Sequence, residues 1–144
     1  SGLPMVPEER LAMCEKLMRQ CEKHGIPLEN LVIDPLCMTV GADPEAGNIL
    51  FETIHLIKEK HGLNMTIGAS NVSFGLPNRH AANAAFLPMA QIMGLTSAVM
   101  DARTPGVVTA VRAADLMLGT DPWGGNWIAR FRAEQAAAAA AAGA

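Results

Sequence analysis

Residues 65–79 read MTIGASNVSFGLPNR, and the fold turns on how this stretch divides. Met65-Thr66-Ile67 is a short apolar segment of strand length, and Gly68, Ser70, Asn71, Ser73, Gly75, Pro77, Asn78 and Arg79 come directly behind it. A buried strand that runs straight into small, hydrogen-bonding residues reads as a ligand loop. Gly68 and Gly75 permit close backbone approach or positive φ. Ser70, Asn71 and Ser73 offer neutral donors and acceptors, and Arg79 offers a fork that suits a carboxylate. On composition alone, ordinary turn and helix-cap chemistry accounts for the same residues equally well, since Gly, Ser, Asn and Pro dominate loops for local reasons.

The same alternation repeats on both sides of this stretch. Upstream, Leu31-Val32-Ile33 is wholly apolar and ends at Asp34-Pro35, which reads as a parallel strand buried on both faces with a polar group at its C-terminal end. Before it, Pro7, Glu8 and Glu9 open a helical pattern that carries Leu11, Cys14, Leu17, Met18 and Cys21 on one stripe and closes at Lys23, His24 and Gly25. A second helix is expected from Pro44 through Ile49, Leu50, Ile54 and Ile57, stopping at Lys60, His61 and Gly62. Downstream come an alanine-rich helix, a third strand at Ser97-Ala98-Val99-Met100 and a helix over residues 107–118. The expected order is α-β-α-β-α-β-α.

Strands that alternate with amphipathic helices pair in parallel through right-handed crossovers, which leaves a doubly wound sheet or a (β/α) barrel. Both architectures put their chemistry at the carboxyl ends of strands, where the polar residues of this chain gather. A closed eight-stranded barrel takes about 250 residues. With 144 residues and three strands, this chain can hold only part of one.

Composition narrows the partners. Half the residues are hydrophobic, enough for the core of one domain, and a net charge of −3 without a long basic run gives no reason to expect nucleic acid or a membrane surface. No apolar run is long enough to cross a bilayer and no signal-peptide order opens the chain, so a cytoplasmic location is expected. The three cysteines, Cys14, Cys21 and Cys37, lack any CxxC spacing and read as reduced thiols, with Cys14 and Cys21 packing on one helix face. His24 and His61 stand at helix ends and His55 within a helix, where capping or surface roles outweigh metal binding. His80 follows the loop and could approach a ligand. Trp123 and Trp127, in DPWGGNWIARF, are expected to pack a final turn against the bottom of the fold or a partner. The alanine tract at residues 136–142 is either a frayed helix extension or disordered, so residues 1–130 are expected to form the folded unit and 131–144 an alanine-rich tail.

The ordered set SNVSFGLPNR, Phe86-Leu87, Gly94-Leu95 and Ala98-Val99-Met100-Asp101 resembles the C-terminal half of methyltetrahydrofolate:corrinoid methyltransferases and the folate domain of cobalamin-dependent methionine synthase. Ile33-Asp34-Pro35-Leu36 stands upstream at about the separation that the family shows, so the resemblance covers roughly residues 30–120. It implies a pterin-binding (β/α)8 TIM-type barrel, of which this chain would hold the C-terminal portion. The implied activity moves the N5 methyl group of methyltetrahydrofolate to a corrinoid cobalt.

By position, the resemblance makes Asp34 the carboxylate that accepts two parallel hydrogen bonds from the amino-pyrimidine edge of the pterin. The plainer alternatives for Asp34 are a helix cap or an Asp-Pro turn. Asn71 becomes the catalytic residue, hydrogen-bonding near N5, where charge builds as the methyl group departs. A neutral amide there stabilises the transition state without supplying a proton. Gly68, Ser70 and Ser73 fall at positions that shape the pocket, and Arg79 falls toward the aminobenzoyl-glutamate side of folate. Met100 and Asp101 end the third strand on the same rim.

No Asp-x-His-x-x-Gly corrinoid motif, zinc-thiolate cluster or iron-sulfur spacing occurs in the sequence, so the cobalamin is expected on a partner protein or domain. A half-barrel exposes sheet edges, which implies self-association or a complementary N-terminal half-barrel. Two alternatives stand beside this reading. One is a non-catalytic half-barrel module that only assembles. The other is a dihydropteroate synthase-like pterin enzyme, against which the Asn-Val-Ser-Phe loop and the missing Ser-Arg-Lys and Arg-x-His signatures argue.

Overall fold

The structure, a computed structural model, describes residues 2–143, so Ser1 and Ala144, the outermost positions of the two expected regions, lie outside it. Helix α1 spans Pro7–Lys23, strand β1 Val32–Ile33, α2 Ala46–His61, β2 Asn64–Gly68, α3 Arg79–Met93, β3 Ser97–Val99, α4 Pro105–Met117 and α5 Gly125–Ala142. The three strands form one parallel sheet in the order β1-β2-β3. An α/β fold with parallel strands alternating with helices is thus what the chain adopts.

Local chemistry sets the helix ends. Pro7 and Pro105 sit at first-turn positions, where the missing N–H costs nothing. Gly62 (φ 63°) and Gly94 (φ 113°) end α2 and α3 in the left-handed region. Gly94 is doubly constrained, because a Cβ there would lie 2.6 Å from Cγ of Lys58. Helix α2 begins at Ala46, two residues later than the Pro44 expected from sequence. The Asp43 carboxylate accepts the Glu45 N–H at 2.9 Å, and this turn holds Pro44 outside the helix.

Register fixes which face is covered. Ile33 pairs with Met65 and Ile67 with Ala98, and these residues face the helices. Ile33, Met65 and Ile67 are buried there with Leu11 and Cys14 of α1, Leu50, Ile54 and Ile57 of α2, Phe86 and Leu87 of α3 and Val107 of α4. Val32 pairs with Asn64 and Gly68 with Val99 on the opposite face, where Val32 is 51% and Val99 72% exposed.

The reading of Leu31-Val32-Ile33 as a strand buried on both faces is therefore corrected: only Ile33 is buried. All the helices that cover the sheet lie on one side, so alternate residues have no second layer above them. An apolar run cannot reveal this, because it looks the same whether its second face meets another layer or open space.

A fifth helix corrects the reading of the C-terminal region as a final turn. Asp121 is buried, and its two carboxylate oxygens accept the N–H groups of Asn126 and Trp127, each at 2.9 Å, which satisfies the first turn of α5. The helix then continues through the alanine tract to Ala142. Trp123 does not pack against the described residues: it is 99% exposed, thrown outward by a turn in which Trp123 (φ 60°) and Gly124 (φ 65°) both take left-handed conformations. Among the described residues, no helix is long and apolar enough to cross a membrane.

Candidate functional site

Strand alternation carries Asp34 and Gly68 to the uncovered face at the C-terminal end of the sheet, the end that also bears Ser70, Asn71 and Asp101. The polar residues expected at the site thus meet on one rim of three adjacent parallel strands, spaced at about 4.8 Å per strand.

Asp34 is exposed and uses one oxygen locally: Oδ1 accepts the N–H of Leu36 at 2.9 Å, closing a turn in which Leu36 has φ 67°. The second oxygen has no partner among the described residues. The Asp-Pro turn weighed from sequence is present, and it leaves part of the carboxylate open to the rim. Arg10 of α1 holds this turn from behind, its Nη1 donating to Pro35 O at 3.1 Å and Leu36 O at 3.0 Å and its Nε to Pro4 O at 3.1 Å. Burial pulls the Arg10 guanidinium below its ordinary pKa. Cys37, buried nearby, is pushed up to about 11 by burial first and by the Asp34 charge second, so its thiol stays protonated at neutral pH.

The loop after β2 is more tightly built. Gly68 leads into a single 3-10 turn, Ala69–Asn71, and a Cβ on Gly68 would lie 3.1 Å from Asn71 Nδ2. The missing side chain lets the Asn71 amide lie across the strand end. Asn71 is exposed, and its amide has no hydrogen-bond partner among the described residues. Behind it, Ser73 is fully buried, donating to Asn83 Oδ1 at 2.7 Å and accepting from Arg79 Nε at 3.2 Å. Arg79 Nη2 donates to Ser70 O at 2.6 Å, and its guanidinium lies 5.7 Å from the Phe74 ring centroid. Arg79 is thus engaged as an internal brace of the loop on its Nε and Nη2 sides.

The two strand-end loops also lock together. Val40 N donates to Val72 O at 2.9 Å and Thr39 Oγ1 to Phe74 O at 2.8 Å, while a Cβ on Gly41 would lie 3.3 Å from Phe74 O. After β3, Asp101 is exposed and takes Arg103 Nε at 2.9 Å and Nη2 at 3.0 Å. These hydrogen bonds, with the nearby His80 charge adding to them, hold its carboxyl down at about 2.

Two residues of this assembly escaped the sequence reading, Arg10 and Asn83. Asn83 stands four residues after Arg79 on α3, one turn along the same face, and is a buried amide within an alanine-rich stretch. That spacing was its signal. Arg10 offered none, because an arginine in a first helical turn ordinarily faces water. Among the described residues, no group of three or more His, Cys, Asp or Glu could hold a metal ion.

The fold and rim together are those of an α/β protein whose polar groups gather at the carboxyl ends of parallel strands. The chain belongs to the pterin binding enzyme family, which matches residues 5–101. It is 30% identical over 122 residues to a methylcorrinoid:tetrahydrofolate methyltransferase of Eubacterium limosum, covering 84% of this chain and 45% of that protein. Against the methionine synthase of Mycobacterium tuberculosis it is 29% identical over 109 residues, or 70% of this chain and 9% of that protein. The chain therefore spans less than half the length of these curated relatives.

Proposed function

We propose that this chain is the C-terminal portion of a pterin-binding (β/α)8 barrel that transfers the N5 methyl group of methyltetrahydrofolate to a corrinoid cobalt. The observation that carries the proposal is the convergence of Asp34, Gly68, Ser70 and Asn71 on one strand-end rim, in a chain whose family match runs through all of them. The barrel portion is assigned to residues 1–130 and the alanine-rich tail to 131–144, with α5 running from the one into the other.

The Asp34 carboxylate fits the amino-pyrimidine edge of a pterin: its free oxygen accepts from one donor, and Oδ1, which takes the Leu36 N–H on one lone pair, has a second for the neighbouring donor. Asn71 has an amide with unused capacity next to a glycine, as a group meeting N5 needs. A donor held there strengthens its contact as the methyl group leaves and the electron pair stays on nitrogen, and microscopic reversibility makes the same contact serve the opposite direction. Ser70, Gly68 and the buried Ser73 shape the pocket wall. Arg79 faces the tail side of the ligand from behind the loop, where its positive charge favours the glutamate carboxylates. A corrinoid carried by a partner protein or domain supplies the methyl acceptor. The setting for this chemistry is the cytoplasm.

A second role is favoured by the uncovered sheet face and by the open edge of β3. A cavity of about 410 Å³ lies along that edge, between β3, α3 and α4. Gln91 Oε1, beside it, is the one buried side-chain polar atom without a partner among the described residues. These features suit assembly with a complementary N-terminal half-barrel or with a second copy, through which the rim would be completed.

Calorimetric titration of methyltetrahydrofolate into the chain tests the proposal, with Asp34→Ala and Asn71→Ala alongside. Saturable binding that Asp34→Ala weakens about tenfold is the expected result, the loss of a charge-assisted hydrogen bond. Binding equal in all three proteins would contradict it.

A further inference from the structure

Arg79, Ser73, Asn83 and Ser70 form a chain of hydrogen bonds that runs in one direction, from the guanidinium to the exposed serine. A guanidinium only donates, so Ser73 Oγ must accept from Arg79 Nε at 3.2 Å. The Ser73 proton then has two acceptors in reach, Asn83 Oδ1 at 2.7 Å and Ser70 O at 3.4 Å. The shorter contact takes it, and Ser70 O is already held by Arg79 Nη2 at 2.6 Å. With its oxygen committed to Ser73, the Asn83 amide must turn its nitrogen to Ser70, and Nδ2 lies 3.4 Å from Ser70 Oγ. A lone pair of Ser70 is thereby used from inside. Ser70 is exposed, and its hydroxyl proton has no acceptor among the described residues.

We propose that Asn83 is a positioning residue which, oriented by Arg79 through Ser73, makes the Ser70 hydroxyl an outward hydrogen-bond donor. The ligand atom that meets Ser70 is then an acceptor, such as a ring carbonyl oxygen or an unprotonated ring nitrogen, and not an amino group. The inference rests on the pterin reading for its ligand and on this chain's own geometry for its direction. Because Asn83 sits on α3 while Ser70 sits beside Asn71 in the strand-end turn, the relay also ties the catalytic loop to a rigid helix.

Asn83→Asp is the decisive substitution. Its shape is unchanged and the new carboxylate suits Arg79, but it can only accept, so it draws the Ser70 proton inward and removes the outward donor. Two measurements on the full chain test this. In the ligand-free protein, NMR cross-relaxation from the Asn83 side-chain amide protons should reach the Ser70 β-protons more strongly than those of Ser73; the reverse would mean the amide is turned around and would overturn the proposal. In titrations with methyltetrahydrofolate, Asn83→Asp and Ser70→Ala should each weaken binding roughly fivefold to tenfold with thermal stability retained in Asn83→Asp, and the double variant should be no weaker than either. Wild-type affinity in Asn83→Asp, or full additivity in the double variant, would also overturn it. If the wild-type chain binds no methyltetrahydrofolate while the cross-relaxation result holds, the relay stands, and what fails is the reading that this chain by itself carries a working pterin pocket.

Discussion

The two faces of the same three strands differ in kind. On the helix side, Ile33, Met65 and Ile67 are buried under four helices, and that packing is complete within the chain. On the other side, Val32 and Val99 are open, and the polar groups of the rim stand above them. Residues one position apart on one strand thus serve different ends. One set holds the fold together, and the other presents a surface whose apolar residues gain nothing from this chain alone.

Substitutions should separate the faces cleanly. Met65→Ala removes a side chain with no exposure from the covered face and should cost about 2–5 kcal/mol in chemical denaturation. Next in size is Arg10→Met, which keeps the stem but strips the donors from three carbonyls and should cost about 1–3 kcal/mol. A loss there close to zero would show that water replaces the guanidinium and that the Asp34 turn needs no support from α1.

A pH effect should mark the covered side. Cys37 keeps its proton in the folded chain up to about 11, against an ordinary value of 9.0. Between those values the unfolded chain releases a proton that the folded chain retains, so stability is whole below about pH 9 and falls as pH rises toward 11. Cys37→Ala should flatten that slope in denaturation curves measured across this window. The smallest effect belongs to the open face. Val99→Thr should change stability by no more than about 0.5 kcal/mol, and a larger loss would show that the face is covered, for instance by a second copy.

The order of helices and strands was legible because both signals are local: apolar stripes of helical period closed by His-Gly or a lone Gly, and short apolar runs between them. The uncovered face was not, since Leu31-Val32-Ile33 carries no mark of what lies above Val32. Helix α5 was legible only in part, its alanine tract reading as a helix extension or as disorder, for a related reason. Its alanine tract has no polar face to give a period, and its start depends on Asp121, whose capping role is visible only once the chain folds back. At the rim, sequence named the residues that follow the strands. It could not show that Arg79 and Ser73 are tied up behind the loop, or that Asn83 completes their network, because those contacts depend on how α3 seats against the turn. The Asp34 turn was anticipated as an alternative to ligand binding, and it is present, closed by the Leu36 N–H on Oδ1.

Whether the strand-end rim receives a pterin is read from amide-resolved NMR during addition of methyltetrahydrofolate to the 144-residue chain. A pterin on the rim gives saturable shifts concentrated at Leu36, Ser70, Asn71, Val72 and Asp101, with the opposite end of the sheet, around Gly25, Gly62 and Gly94, unmoved. Shifts centred on that opposite end or on the outer faces of the helices, with the rim silent, would contradict it.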